Sequence, residues 1–195
     1  MNQYILGLTG GTGCGKSVAT AYLKKHGAHI IDADAISRQI MAPNKPALAA
    51  VAKAFDGVLL PDGSLNRKQL AAIVFCDSDA RQRLNSITFT YIIREIETKL
   101  NNSAASLTVI DAPLLFEAGL DKLCTDCLCI MADTETRKKR IIERDGLIEE
   151  EAMARINAQP DNEFYTSRCR FVIENTGSTA ALHTALDVVL KEIDL

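Results

Sequence analysis

The sequence predicts an α/β fold built on a five-stranded parallel sheet, and three observations carry that prediction. Five short apolar runs, at 4–9, 28–32, 106–111, 127–132 and 170–175, have the length and continuity of strands buried on both faces. Helical stretches separate the runs, and such alternation implies parallel strands with helices on both sides of the sheet. A glycine-rich string, GGTGCGKS at 10–17, lies between the first run and the first helical stretch.

The first run, YILGLT, delivers the chain into that string, and Gly10 to Ser17 satisfy G-x-x-x-x-G-K-[ST] in the strand-then-helix context the motif requires. This is the signature of a P-loop NTPase core. The glycines let the backbone curl so that successive N–H groups point inward at phosphate oxygens. The stretch Gly11, Thr12, Gly13, Cys14, Gly15, Lys16, Ser17 and Val18 is therefore the candidate ATP-binding loop. Lys16 supplies a point charge toward the β and γ phosphates, Ser17 offers a hydroxyl to Mg²⁺, and the positive end of the following helix faces the same anion. That helix runs from Lys16 to His26 and is stopped by Gly27.

The second run ends in IDADAISRQI, at the sheet edge where open α/β folds bind ligands. Asp32 and Asp34 are both candidates to orient an acceptor hydroxyl and take its proton; for Asp34 the alternative is a helix N-cap for Ala35 onward. About seventy residues then precede the third run, far more than one crossover helix needs. Residues 35–104 are mostly helical in pattern, with a turn at LPDGS, and are expected to form a helical substrate-binding insertion. After the fourth run, residues 134–167 carry RKKRIIERD and are expected to form a basic helical lid. The core is then about 1–34, 105–133 and 168–195, closed by a helix from Thr179 to Ile193, all within one domain.

Composition narrows the function classes. A net charge of −3 argues against wholesale nucleic-acid binding, and no apolar stretch is long enough to span a bilayer. The N-terminal residues lack the pattern of a signal peptide, so the six cysteines are expected to be free thiols in a cytoplasmic protein. The CxxC at Cys124 and Cys127 has no second ligand pair to complete a zinc site. A monomer that binds small molecules, neither nucleic acid nor membrane, is the expectation.

Seven strings, TGGTGCGKS, IDADAISR, LNRKQLAAIVF, DAPLLFE, RIIERD, RINAQ and VIENTGS, resemble in order the motifs of the bacterial dephospho-coenzyme A kinase family, across nearly the whole chain. The resemblance implies transfer of the γ phosphate of ATP to the ribose 3′-hydroxyl of dephospho-CoA, with Mg²⁺, the last step of coenzyme A biosynthesis. It implies Asp34 as the base, with Lys16 and Arg140 at the transferred phosphate and Arg144 beside it in the lid. Arg38, Arg67 and the turn residues Pro113, Leu114, Leu115 and Glu117 join Asp34 as substrate contacts. Asn175 and Gly177 match the segment that contacts adenine. Asp111 ends an apolar strand like a Walker B acid that reaches Mg²⁺ through water, or else forms an Asp-x-Pro turn.

The chain departs from the family pattern at Phe89 and Thr90, where the family has His-Pro, at Pro160 to Asn162 after RINAQ, and at Arg170, which replaces an acid. Two other functions fit a phosphate loop. A regulatory GTPase would need Asn-Lys-x-Asp, and the nearest string, NKPA at 44–47, lacks the acid. A nucleoside or nucleotide kinase with the same core is the closer alternative.

Overall fold

The computed structural model describes residues 3–194. Its strands are β1 (Tyr4–Thr9), β2 (His29–Asp32), β3 (Leu107–Asp111), β4 (Asp126–Met131) and β5 (Phe171–Glu174). Its α-helices are α1 (Lys16–Lys25), α2 (Ala33–Ile40), α3 (Pro46–Ala54), α4 (Arg67–Cys76), α5 (Ser78–Asn101), α6 (Thr134–Asp145), α7 (Glu149–Asn157), α8 (Asn162–Thr166) and α9 (Thr179–Glu192). The chain divides into two compact units, one built from the segment up to Ile31 together with that from Ser103 onward, the other from Asp32–Asn102.

The strands form one sheet in the order β2-β3-β1-β4-β5. β1 pairs in parallel with β3, Leu8 opposite Asp111, and with β4, Leu8 opposite Leu128; β4 pairs in parallel with β5. The central strands carry apolar side chains on both faces because both faces are covered: Leu6, Leu8, Val109, Ile110, Leu128 and Ile130 have no exposed surface. Ala19 and Leu23 of α1, and Leu182, Leu186 and Leu190 of α9, recur at four-residue spacing and join the same cluster. α1 stops one residue short of the expected His26, which caps it, and Gly27 then takes the left-handed conformation at φ 89°. β2 and β5 are likewise shorter than the apolar runs that announce them.

The excursion after β4 is made of three helices, α6, α7 and α8. Asp133 caps α6, its carboxylate accepting from the Thr136 N–H at 2.8 Å, and Gly146 ends the helix at φ 66°. Ile141 of α6 packs with Ala152 and Ile156 of α7 in a small cluster of its own.

The unit Asp32–Asn102 is mainly helical and holds a separate core of Met41, Leu48, Val51, Phe55, Val58 and Leu70. The LPDGS turn closes a small hairpin: Leu60 N–H donates to the Ser64 carbonyl at 2.8 Å, and Leu59 bridges Leu65 antiparallel. Asn66 caps α4 and Asp77 caps α5 through side-chain acceptors. Phe89 and Thr90 fall in the middle of α5, where the Thr90 hydroxyl donates to the Ser86 carbonyl at 3.0 Å. A proline at 90 would interrupt this helix, which accounts for its continuity here.

Candidate active site

The phosphate loop connects β1 to α1 at the C-terminal edge of the sheet. Gly13 and Gly15 have φ of 79° and 95°, values that a side chain would strain, and Gly15 is the N-cap of α1. Among the described residues, none accepts from the N–H groups of Gly13, Gly15, Lys16 or Ser17, and the first turn of α1 carries no acid. Lys16 and Ser17 carry orphan donors of the helix start, aligned with its positive end, and with the N–H groups of Gly13 and Gly15 in the loop before it they make an anion cradle. The Cys14 and Val18 N–H groups are directed inside the loop, to the Gly11 carbonyl at 3.3 Å and the Gly15 carbonyl at 3.0 Å.

Lys16 is ion-paired with Asp111, and Thr20, one turn further along α1, donates to the other Asp111 oxygen at 2.7 Å. The register that sets Leu8 against Asp111 brings the end of β3 beside the loop that leaves β1. Asp111 is thus the counterion of the loop lysine, whatever turn Pro113 helps to form. Thr20 carries no motif, but its place four residues after Lys16 puts it on the same helical face. Cys14 is 1% exposed, and burial pushes its thiol up, with Arg137 and Lys16 opposing. It is a packed neutral group, not a nucleophile.

The lid residues reach the loop unequally. An Arg140 guanidinium nitrogen stands 3.4 Å from the Gly13 carbonyl oxygen. Arg144 instead forks onto its neighbour Asp145 at 2.8 and 2.9 Å, and Arg155 adds a third bond to that carboxylate at 2.7 Å. Arg144, followed by Arg155, holds the Asp145 carboxyl below the usual carboxylate range. Two residues without an assigned role in the sequence make closer loop contacts. Arg137 Nε donates to the Thr12 carbonyl at 2.9 Å, and Gln159 Oε1 accepts from the Thr12 N–H at 2.8 Å. Nothing in a run of basic residues singles out the buried one, so Arg137 is invisible until α6 has an orientation.

Asn175, just beyond β5, is buried, and its amide donates to the Cys14 carbonyl at 2.9 Å, so it braces the loop; Gly177 is exposed. Of the turn after β3, Leu114 and Glu117 are exposed and Pro113 is half-buried, whereas Leu115 has no exposed surface and packs against the sheet. Arg170 pairs with Asp126 at 2.8 Å, and Tyr4 donates to the same carboxylate. Burial, and then that hydrogen bond, push the Tyr4 hydroxyl up to about 12.

Within the unit Asp32–Asn102, the two acids of the DAD triplet separate into distinct roles. Asp32 is the N-cap of α2, its carboxylate accepting from the Ala35 N–H at 2.8 Å. The capping alternative therefore belongs to Asp32 and not to Asp34, because the helix starts one residue before Asp34. Asp34 lies in the first turn of α2, and Arg38 lies one turn on along the same face; both are exposed. Arg67 opens α4 and is exposed.

A parallel sheet ordered 2-3-1-4-5, with a G-x-x-x-x-G-K-S loop between its central strand and a helix and the basic helix α6 beside that loop, defines a P-loop kinase. Comparison with known proteins narrows the class. The family model described as dephospho-CoA kinase matches residues 4–181, and the chain belongs to that family. It is similar to a dephospho-CoA kinase from Anaeromyxobacter dehalogenans, 40% identical over 97% of this chain and 92% of the relative. A solved structure from Thermus thermophilus superposes at a TM-score of 0.85 with 32% identity, covering 98% of each chain. The dephospho-CoA kinase from Campylobacter jejuni superposes at 0.70 with 29% identity, again covering 98% of each.

Proposed function

We propose that this chain transfers the γ-phosphoryl group of ATP to the ribose 3′-hydroxyl of dephospho-CoA, giving coenzyme A and ADP, the last step of coenzyme A biosynthesis. The observation that carries the reading is the Gly10–Ser17 loop with its unpaired N–H groups and with Lys16 held against Asp111. The bond from the γ phosphorus to the β–γ bridging oxygen breaks as a bond to the 3′ oxygen forms. The 3′ proton passes to the Asp34 carboxylate, and ADP leaves. The protein's work is positioning and charge: Lys16 and Arg140 stabilise charge spreading over the transferred group, and the loop N–H groups hold the phosphate oxygens. Arg38, Arg67, Pro113, Leu114 and Glu117 contact dephospho-CoA, Arg144 and Gly177 join the nucleotide side, and Leu115 acts through packing.

Ser17 and Asp111 offer the hard oxygen donors that Mg²⁺ prefers, a hydroxyl and a carboxylate beside the phosphate cradle. Bound there, the ion would neutralise charge on the β and γ phosphate oxygens. The enzyme works as a cytoplasmic monomer on small molecules alone; its six unpaired cysteines support a reducing compartment. Among the described residues no helix is long and apolar enough to cross a membrane.

ADP release coupled to a reporter, with ATP, Mg²⁺ and a panel of acceptors, tests the substrate. Dephospho-CoA is expected to be turned over far faster than adenosine, shikimate or nucleoside monophosphates. A nucleoside monophosphate as the preferred acceptor would make this a nucleotide kinase instead.

A further inference from the structure

Arg137 is 7% exposed, and among the described residues no carboxylate pairs with it. A buried cation without a counterion is costly, so the groups that hold it matter. Its Nε donates to the Thr12 carbonyl at 2.9 Å, and a terminal nitrogen donates to Gln159 Oε1 at 2.7 Å. The same Gln159 oxygen accepts from the Thr12 N–H at 2.8 Å. Two side chains from the helical arm thus take both backbone polar groups of one loop residue and bond to each other. The loop glycines fit this arrangement: a Cβ at Gly11 would stand 2.8 Å from Arg137 Cζ, and one at Gly13 would stand 2.7 Å from the Arg137 carbonyl oxygen. The Arg137 side chain could shift away from a Cβ at Gly11, but its backbone could not give way to one at Gly13, so that glycine lets the loop lie against α6 at Arg137.

We infer that Arg137 and Gln159 are positioning residues for nucleotide binding: together they fix the Thr12 backbone and hold the phosphate loop in its binding shape, while Arg137 keeps an uncompensated positive charge behind a cradle for polyphosphate. Neither residue belongs to the residues assigned above to phosphate transfer or substrate contact. The inference rests on the loop as an ATP site, not on the identity of the acceptor.

Calorimetric titration of ATP into the purified enzyme in the presence of a chelator reads the effect without turnover. R137M removes both the bonds and the charge, and is expected to weaken ATP about ten- to a hundredfold. Q159M removes the shared acceptor and is expected to weaken it about three- to tenfold. R137K keeps the charge without the fork and falls between wild type and R137M. Because the two side chains act as one clamp, R137M/Q159M should bind within about twofold of R137M alone. In steady state KM for ATP should rise, while KM for dephospho-CoA stays within about twofold and kcat within about threefold. Unchanged ATP affinity in folded R137M, effects of the two variants that multiply in the double, or a loss confined to KM for dephospho-CoA would each overturn the assignment. If R137M does not fold, R137Q, which keeps a neutral donor of similar reach, carries the same measurements and the same criteria.

Discussion

Lys16 and Asp34 carry the chemistry proposed above, and each can be separated from the structural residue nearest to it. Lys16→Ala removes a charge aimed at the transferred phosphate, and kcat should fall by about a thousandfold or more, since such charge stabilisation is worth several kcal/mol. The same change frees Asp111 from its ion partner, yet Thr20 still donates to it, so the melting temperature should move little. A variant that folds normally and keeps a tenth of the wild-type rate would mean that the loop does not hold the transferred phosphate. Asp34→Asn keeps the size and the helical position of the side chain but cannot take a proton, so kcat should drop while stability holds. Asp32 gives the opposite pattern. Asp32→Ala deletes the cap on α2 and should cost about 1 kcal/mol of stability, whereas Asp32→Asn, which still accepts from the Ala35 N–H, should cost little. Paired thermal melts and initial rates on the three variants distinguish the roles; a large loss of stability in Asp34→Asn with a normal rate would make Asp34 structural.

The arm made of α6, α7 and α8 shows what an element can and cannot announce in sequence. Its existence was legible, because thirty-odd residues between two apolar runs exceed any simple turn and carry a basic stretch at helical spacing. The phosphate loop and the strands flanking it were legible for a related reason: glycines at fixed spacing and doubly buried strands leave compositional traces. What escaped depends on rotation. Which of Arg137, Arg140 and Arg144 faces the loop follows from the orientation of α6, set by Ile141 packing on α7, and three arginines in one run look alike without it. Gln159 escaped, and Asn175 was read only as part of the adenine segment and not as a brace for the loop, because an amide that holds a backbone carries no pattern, only a location. The arm's own cluster is small, three buried residues, and a small cluster predicts weak intrinsic order. Backbone amides of 134–160 should therefore exchange faster than those of β1, β3 and β4 in the free enzyme, and slow when ATP and a dephospho-CoA analogue are both added. Hydrogen exchange read by mass spectrometry checks this; exchange there that is insensitive to both ligands would remove the arm from the catalytic cycle.

At the scale of the molecule, one hydrophobic cluster packs on the sheet and another lies inside Asp32–Asn102. Nucleotide binding is expected to depend on the first core, because the loop, its lysine, the counterion Asp111 and the bracing Asn175 are all anchored to the sheet or to helices packed on it. Leu128 stands at the centre of that core with no exposed surface, and Leu48 is 3% exposed in the other. Each substitution to alanine removes the same volume from a buried site and should cost about 2 to 5 kcal/mol of local stability. The functional consequences should differ. Leu128→Ala loosens the strand directly paired with β1, so ATP affinity should fall together with the stability of the sheet. Leu48→Ala should leave the ATP dissociation constant within about threefold of wild type, since a cavity in the helical core touches none of the groups that hold the phosphates. It should instead raise KM for dephospho-CoA, whose proposed contacts Asp34, Arg38 and Arg67 are carried on helices of that unit. Titration of ATP and acceptor separately against both variants, alongside hydrogen exchange to confirm which core has loosened, decides the matter. An equal loss of ATP affinity in the two variants would show that the cores support the phosphate loop jointly and that the division of labour between nucleotide and acceptor is not drawn at Asp32 and Asn102.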